Sequence, residues 1–305
     1  MTQAKPTGWV FIYIILGIIW GSSFLFTHVA LEMLPPVGVV FWRLLLGALA
    51  LGAVIAIRRV EITRNWRHWL LMASGGAFMN ALPFTLFAYA QQHVTSILAS
   101  IINGATPIMT LLALLTVFRG EKLKLNVILG LLIGMGGVMI VLAVWQGFGE
   151  NDPTAVLAMI AAVSCYGLGG PFIVRFLTPL KMPNEIMSIG QVGSASLIVL
   201  PFYLAGPALI GEVTLPAVAS VIAVGAVGSG VAYILYYRII KQLGSAIANS
   251  VTYMSPLVAT VLGMLLLGEE LHWYEPVGAI VVILGALISQ GRLLGLFGIK
   301  PKVLL

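Results

Sequence analysis

Long apolar runs constrain this chain more than any other feature of its sequence. A helix needs roughly 20 apolar residues to cross a bilayer, and ten runs of about this length occupy most of the 305 residues. The joining loops are short, which leaves no room for a soluble domain. The sequence therefore predicts an all-α membrane protein with ten transmembrane helices, near residues 9–30, 36–57, 68–90, 94–118, 124–145, 154–177, 184–205, 215–239, 244–267 and 274–296.

The amino-acid composition also favours a lipid environment. Hydrophobic residues make up 60% of the chain and charged residues only 9%, whereas about a quarter of the residues in a soluble domain are charged. So few polar groups cannot cover the surface of a soluble protein, and the lipid bilayer is the expected partner. A net charge of +6 would suggest nucleic acid in a soluble protein. The positions of the charges explain it otherwise, and we expect no nucleic-acid partner.

The basic residues predict the orientation of the ten helices. If the runs alternate across the membrane, fifteen of the 16 Lys and Arg residues lie on one side. The positive-inside rule places that side, together with both termini, in the cytoplasm. These fifteen residues are Lys5, Arg58, Arg59, Arg64, Arg67, Arg119, Lys122, Lys124, Arg175, Lys181, Arg238, Lys241, Arg292, Lys300 and Lys302.

An internal repeat divides the chain into two halves. Pro107 and Pro256 are 149 residues apart, Gly130 and Gly278 are 148 apart, and a Gly-Glu pair lies between them in both copies. This shift moves the chain by five helices, so equivalent helices must cross the membrane in opposite directions. We therefore predict two inverted repeats, residues 1–149 and 150–305, that together form one transport domain. Secondary transporters often use this plan, in which a central site opens alternately to each side.

Several motifs resemble a known family. The run Trp20-Gly21-Ser22-Ser23-Phe24 in the first predicted helix resembles the start of an EamA module. The mid-helix prolines, the Gly-Glu pairs and the Gly-rich helices after them resemble the rest of that module, twice. The chain is similar to the ten-helix EamA branch of the drug/metabolite transporter superfamily, and as a whole it most resembles the YddG-type exporters of aromatic amino acids. In the second half, Tyr166-Gly167 stands where the first half has Trp20-Gly21.

This resemblance implies both an architecture and an activity. The expected architecture is a central cavity lined by helices one, three, four, six, eight and nine. The expected activity is export of aromatic or large neutral amino acids, or related small metabolites, across the plasma (inner) membrane of a bacterium.

Polar and aromatic residues recur at equivalent mid-depth positions of the two halves. Asn80 corresponds to Ser229 and Asn103 to Thr252, and Trp20 corresponds to Tyr166 by motif. Polar groups are costly in hydrocarbon unless they are paired, so they usually face the bundle interior or a wet cavity. The alternative is that they only bond neighbouring helices. The predicted substrate-binding residues are Trp20, Ser23, Asn80, Phe84, Asn103, Tyr166, Ser229, Tyr233, Thr252 and Tyr253.

Helix-breaking residues mark candidate hinges in the same predicted helices. Proline removes a backbone donor, and a broken helix frees carbonyl groups that can line a cavity. The alternative for each proline is a tolerated kink. The candidate gating residues are Pro83, Pro107, Gly170, Pro171, Gly230 and Pro256.

Arg43 is the one basic residue within a predicted span. An intramembrane charge usually has a function or a partner. The favoured interpretation is an ion pair with Glu32, Glu269 or Glu270 at the outer rim. The other interpretation is an attractive charge for a substrate carboxylate.

The sequence gives no sign of an energy-coupling site or an enzyme. It contains no P-loop, no HExxH and no His/Cys cluster, so we expect no cofactor, no metal and no catalysis. Every Asp and Glu is near the end of a span, which favours facilitated diffusion over proton exchange. The alternatives are an exporter of cationic drugs or other metabolites, a sugar-phosphate or nucleotide-sugar exchanger, a channel and, from a different class, an intramembrane enzyme. A phosphate exchanger would need several Lys or Arg residues in its site.

The spacing Gly130-x-x-x-Gly134 permits close contact between helices. It favours packing within a monomer over a dimer interface.

Overall fold

The computed structural model describes residues 8–94, 96–118, 124–141, 144–146, 152–262, 265 and 273–289. These residues form fourteen α-helices joined by short π and 3₁₀ segments. The α-helices are α1 Trp9–Ala30, α2 Pro36–Arg58, α3 Trp66–Gly76, α4 Leu82–Ala90, α5 Ser96–Asn103, α6 Thr106–Thr116, α7 Leu125–Val141, α8 Pro153–Phe172, α9 Asn184–Leu204, α10 Leu215–Ile222, α11 Ala232–Leu243, α12 Ser245–Asn249, α13 Met254–Leu262 and α14 Tyr274–Ser289.

Six helical segments in the described part of the chain are long and apolar enough to cross a membrane. They are Trp9–Ala30, Pro36–Arg58, Trp66–Ala90, Pro153–Leu180, Asn184–Leu204 and Leu215–Leu243. The other four predicted runs coincide with α5 and α6, α7, α12 and α13, and α14, which are shorter or interrupted. The prediction of an all-α, multi-pass membrane protein is confirmed. The count of ten and the cytoplasmic termini stay predictions.

The backbone departs from α-helix at equivalent places in the two halves. A π segment, Ala77–Ala81, lies between α3 and α4, and another, Ala223–Val231, lies between α10 and α11. A shift of 149 residues carries the first inside the second. Likewise, the break between α5 and α6 corresponds to the 3₁₀ turn Ser250–Tyr253 between α12 and α13. The halves therefore share these two irregularities, whereas the π turn Ile173–Leu177 after α8 has no counterpart in α1.

The predicted hinge residues lie at or beside these irregular segments. Pro83 and Pro107 each lie in the first turn of a helix, after the π segment and after the break, respectively. Pro171 is inside α8, two residues before a π turn, and Gly230 is within the second π segment. A proline cannot donate the backbone bond of a regular helix, which accounts for the interruptions before Pro83 and Pro107, whereas the second π segment contains no proline. A gating role for these residues stays a prediction.

The contact between α7 and α14 has the inverted geometry that the repeat predicts. Gly130 faces Gly285, and Gly137 faces Gly278, so the two helices run antiparallel. A side chain at Gly130, Gly137 or Gly285 would collide with the opposite backbone. Because a shift of 148 residues exchanges the members of the two contacts, α7 and α14 are related by a local two-fold axis. The glycine spacing thus serves contact within the monomer, as predicted.

The two halves interlock through their first and fourth predicted spans. Gly21 of α1 packs against Val258 of α13, and Gly167 of α8 packs against Met109 of α6. Each half therefore places its first helix on the fourth span of the other half. This arrangement makes Gly21 equivalent to Gly167, and so it supports the equivalence of Trp20 and Tyr166.

Candidate functional site

A cavity of about 760 Å³, including its open mouth, lies between the two halves. Its walls come from α1, α2, α4, α5, α6, α8, α11 and α12, together with the π segment that holds Met79 and the 3₁₀ turn that holds Thr252. Seven of the ten predicted substrate-binding residues line it: Trp20, Ser23, Phe84, Asn103, Tyr166, Tyr233 and Thr252. The structure thus brings together residues that are far apart in sequence. Their role in binding stays a proposal.

Three of the predicted residues lie outside the cavity wall. The Asn80 carboxamide oxygen accepts a hydrogen bond of 2.6 Å from Gln191 Nε2. Ser229 Oγ accepts one of 2.9 Å from Arg43 Nε. Tyr253 points towards α7, where its hydroxyl donates to the Leu131 carbonyl at 2.7 Å. The sequence predicts the depth of these residues in the membrane, but depth does not tell which way a side chain points.

Two aromatic donors at the cavity are bonded to the equivalent π segments. Trp20 Nε1 donates to the carbonyl of Gly228 at 3.1 Å, and the Tyr233 hydroxyl donates to the carbonyl of Met79 at 3.1 Å. Met79 and Gly228 are 149 residues apart, so these carbonyls occupy equivalent positions. The Trp20 and Tyr233 ring centroids are 5.9 Å apart. Segments of π-helix often occur at functional sites, and here they fix one aromatic corner of the cavity.

A second aromatic wall comes from α1, α4 and α8. The rings of Tyr166 and Phe87 are stacked with centroids 6.0 Å apart and planes within 17°. Phe84 meets Tyr166 edge-on at 6.4 Å, and Phe24 meets Phe87 edge-on at 5.8 Å. Offset and edge-on arrangements are those that aromatic rings prefer. An apolar or aromatic group in the cavity would therefore find rings on two sides.

Hydrogen-bonding groups at the cavity include three residues that the sequence analysis missed: Asn249, Gln91 and Thr106. Asn249 accepts from the Tyr236 hydroxyl at 2.7 Å and donates to Thr110 Oγ1 at 2.7 Å. Gln91 Nε2 donates to the Phe24 carbonyl at 3.1 Å. The Thr106 hydroxyl is buried and has no partner among the described residues. A shift of 149 carries Ser100 to Asn249, so the repeat itself held a signal for one of these residues.

Arg43 lines the cavity rather than the outer rim. Its Nε is bonded to Ser229 Oγ, and its guanidinium carbon lies 3.9 Å from the centroid of the Phe84 ring. The predicted ion pair with Glu32 is wrong, since the salt bridge found in the described part of the chain joins Arg58 and Glu185 instead. Glu269 and Glu270 lie outside the described residues. Arg43 does not pair with Glu32 because Glu32 is exposed just after α1, whereas Arg43 turns inward.

Buried tyrosines close one end of the cavity. Tyr236 and Tyr237 are fully buried in α11, and the Tyr13 hydroxyl lies 2.9 Å from Ser250 Oγ. These tyrosines belong to α1 and α11, and both helices extend from the cavity towards the side that the charges predict to be cytoplasmic. The lining residues Thr27, Val39 and Gln91 lie towards the other ends of their helices. With the predicted orientation, the buried tyrosines lie between the cavity and the cytoplasm, and these lining residues lie towards the outer side.

The relatives of this chain include proteins that are named as transporters. It is 28% identical over 293 residues to the "Uncharacterized inner membrane transporter YedA" of Escherichia coli (strain K12), with 94% of this chain and 92% of that protein covered. It is 23% identical to the "Uncharacterized transporter YyaM" of Bacillus subtilis (strain 168), with 92% and 93% covered. It is 22% identical to "Protein PecM" of Dickeya dadantii (strain 3937), with 93% and 92% covered.

A solved structure has the same fold. It is described as "Crystal structure of protein" and matches with a TM-score of 0.75 at 18% sequence identity, covering 93% of this chain and 96% of that one. This likeness concerns the fold alone. Together, the inner-membrane relative and the six apolar helices confirm the prediction of a multi-pass protein of the inner membrane.

The sequence profile of the EamA-like transporter family matches residues 7–143 and 153–290. The predicted division between residues 149 and 150 lies between these two matches and stays a prediction, as does YddG-type specificity. The resemblance inferred from the Trp-Gly motif and the repeated Gly-Glu pairs is confirmed at the level of the family. Because the profile matches most of the chain, in two consecutive copies, the chain belongs to the EamA-like transporter family.

Proposed function

We propose that this protein is a secondary transporter that exports aromatic or large neutral amino acids across the inner membrane by alternating access. The observation that carries the proposal is the aromatic cavity between two interlocked halves, closed at one end by buried tyrosines. The cavity lies at the junction of two inverted repeats, where such transporters bind their substrates.

The chemistry of the lining supports an aromatic or large apolar substrate. Trp20 and Tyr233 form one corner, and Phe84, Phe87 and Tyr166 form the opposite wall. Flat rings between such walls gain stacking and edge contacts in addition to burial. The amide and hydroxyl groups of Asn103, Asn249 and Thr106 supply directional contacts for a polar head group. A single cavity can therefore take both ends of an amino acid.

The interrupted helices support the alternating-access mechanism. The π segments Ala77–Ala81 and Ala223–Val231 are equivalent, as are the two breaks in the fourth spans, and all four lie beside the cavity. Segments without regular hydrogen bonding absorb backbone rotation more readily than continuous helix does. An exchange of conformations between the halves would close the open end and open the tyrosine-lined end.

Facilitated transport fits the lining better than proton coupling does. No Asp, Glu or His is among the described residues that line the cavity, and a proton relay normally needs such a group. Arg43 disfavours cationic drugs as substrates because it would repel them. One Arg also offers too few donors for a sugar phosphate.

The test is uptake of labelled L-phenylalanine into proteoliposomes preloaded with unlabelled L-phenylalanine, with and without a pH gradient. Saturable, protein-dependent uptake without a gradient is the expected result. Uptake that requires the gradient would replace facilitated transport by proton coupling. Protein of native fold that moves neither L-phenylalanine nor L-leucine would reject amino acids as the substrate class.

A further inference from the structure

Arg43 and Gln191 occupy equivalent positions in the two halves. Gly225 packs against the backbone carbonyl of Arg43, and Gly76 packs against the backbone carbonyl of Gln191. Gly76 and Gly225 are 149 residues apart, and Arg43 and Gln191 are 148 apart. Their side-chain partners match as well, since Arg43 bonds Ser229 and Gln191 bonds Asn80, the pair that the repeat relates. The first half thus carries a cation where the second carries a neutral amide.

The surroundings of these two side chains differ in the observed conformation. Gln191 is fully buried, and both ends of its carboxamide are bonded, one to Asn80 and the other to the Tyr237 hydroxyl. Arg43 is partly exposed to the cavity. Its Nε is bonded to Ser229, and no hydrogen bond to its two terminal NH₂ groups is found within the described residues. Those two groups form a fork that suits a carboxylate.

Closing the outer end would change the surroundings of Arg43. In an inverted-repeat transporter the two halves exchange conformations, so the first half would adopt the enclosed packing that the second has now. Arg43 would then be enclosed as Gln191 is. A neutral amide is satisfied there by an Asn and a Tyr, but a buried guanidinium needs an anion. No carboxylate of the described residues is paired with Arg43.

We propose that Arg43 binds a carboxylate of the substrate, and that the outer end of the cavity closes only around such an anion. The inference rests on the proposed transport function and narrows its substrates to compounds with a carboxylate and an apolar or aromatic body. It also sets the mode of transport. The empty protein cannot close over a bare guanidinium, so it exchanges one carboxylate substrate for another rather than moving substrate in one direction.

The first test measures binding without transport. The thermal unfolding midpoint of purified protein is recorded with L-phenylalanine, with 3-phenylpropionate (which lacks the amine) and with L-phenylalaninamide (which lacks the carboxylate). A ligand that binds only the folded protein raises the midpoint. We expect the two carboxylates to raise it and the amide to leave it unchanged. Arg43→Gln should weaken the apparent affinity for the two carboxylates, measured from the concentration dependence of the midpoint, roughly tenfold or more.

Arg58→Gln is the matched control, because it removes a cation that is paired with Glu185 and distant from the cavity lining. It should bind the carboxylates as the parent does. Arg43→Lys keeps the charge without the fork, so it should retain part of the response, and it serves if Arg43→Gln folds poorly. Equal stabilisation by the amide and the carboxylates, or no stabilisation by any carboxylate, would overturn the inference.

The second test compares exchange with net efflux from proteoliposomes loaded with labelled L-phenylalanine. Unlabelled L-phenylalanine outside should accelerate efflux by about tenfold or more in the parent, since a buried unpaired charge strongly opposes return of the empty form. In Arg43→Gln the two rates should converge. An unchanged ratio in that variant would overturn the inference while leaving transport established. Arg43-dependent binding without any flux would instead reject the proposed function and support carboxylate recognition.

Discussion

The hydrogen-bonded pair of Gln191 from the second half and Asn80 from the first is completely buried, whereas the equivalent pair of Arg43 from the first half and Ser229 from the second reaches the cavity through its arginine. The two pairs are held by the same kind of backbone contact, through Gly76 and Gly225. This difference shows that the backbones of the two halves are arranged symmetrically at these positions, whereas their side chains are not. A symmetric backbone lets the halves exchange conformations, and unlike side chains make the two faces of the site chemically different.

The same contrast appears elsewhere at the interrupted helices. The π segments repeat, and each has one carbonyl bonded to an aromatic donor, but one donor is Trp20 and the other is Tyr233. The fourth predicted spans also differ, because the second half has Tyr253 at the position where the first half has Gly104. Substitutions at equivalent positions therefore test which parts of the structure are symmetric and which are not.

The largest effect is expected from Gln191→Arg. It would place a second guanidinium in a fully enclosed position that is built for a neutral amide, beside Asn80 and Tyr237. A buried charge without a partner destabilises by about 3–5 kcal/mol, so little folded protein should remain. Size-exclusion chromatography and thermal unfolding measure this. The reciprocal change, Arg43→Gln, should leave the yield near the parent value, and a normal yield of Gln191→Arg would contradict the enclosed environment.

The next largest effect is expected at the contact of α7 with α14, where the halves are most alike. Gly137→Ala and Gly285→Ala should each lower stability by about 1–3 kcal/mol, because the added methyl group collides with the opposite backbone. The two values should agree, since a local two-fold axis relates the contacts. Gly136→Ala is the control, because a Cβ there meets nothing within 4 Å. Stability losses of the two variants that are clearly unequal in chemical denaturation would contradict the two-fold symmetry of α7 and α14.

A smaller effect, confined to transport, is expected for the aromatic residues. Trp20→Ala and Tyr166→Ala, equivalent residues that both line the cavity, should each slow initial uptake about tenfold, since one aromatic contact contributes about 1 kcal/mol beyond area burial. Trp145→Ala is the control, because Trp145 is 57% exposed and is not in the lining. Rates are compared at equal amounts of folded protein, and equal rates for all three variants would reject the aromatic site.

Tyr253→Phe should affect stability alone. The change removes the buried hydrogen bond that the Tyr253 hydroxyl donates to the Leu131 carbonyl, which costs about 1 kcal/mol. Uptake per folded molecule should be unchanged because Tyr253 is not in the cavity wall. A transport defect without loss of stability would return Tyr253 to the substrate site that the sequence predicted.

The smallest effect concerns the first helix of each half. Asp152 caps α8 through Thr154, whereas α1 begins after Gly8 without a side-chain cap. The hydrogen bonds from the Thr154 hydroxyl and backbone N–H lower the pKa of Asp152 below its usual value. A carboxyl group with a lowered pKa stabilises the folded state above its unfolded pKa, and this contribution is lost as pH falls through the folded pKa. The unfolding midpoint of Asp152→Ala should therefore lie slightly below that of the parent at neutral pH, and the gap should close in acid. A gap that does not depend on pH would show that the charge of Asp152 plays no part.

The sequence contained enough to predict the helices, their repeat and most of the cavity. Apolar runs locate spans because the bilayer demands their length, and the glycine and proline spacing revealed the inversion. The direction of individual side chains could not be read in the same way. Tyr253 and Asn80 lie at the right depth, but these helices are apolar on most faces, so no polar stripe shows which face meets the cavity. The sequence favours an ion pair of Arg43 at the rim because Glu32, Glu269 and Glu270 are predicted there, and only the folded chain shows Arg43 turned inward beside Phe84.

The interlocking of the halves sets an order for assembly during synthesis. Gly21 of α1 finds its partner Val258 only 237 residues later in the chain. At 5–20 residues per second, the ribosome needs roughly 10–50 s to reach it. During that time the glycine face of α1 lies in the bilayer without its neighbour, and the first half cannot complete its own packing. Neither half should therefore reach a native structure when it is expressed alone, because each half completes its packing only against the other.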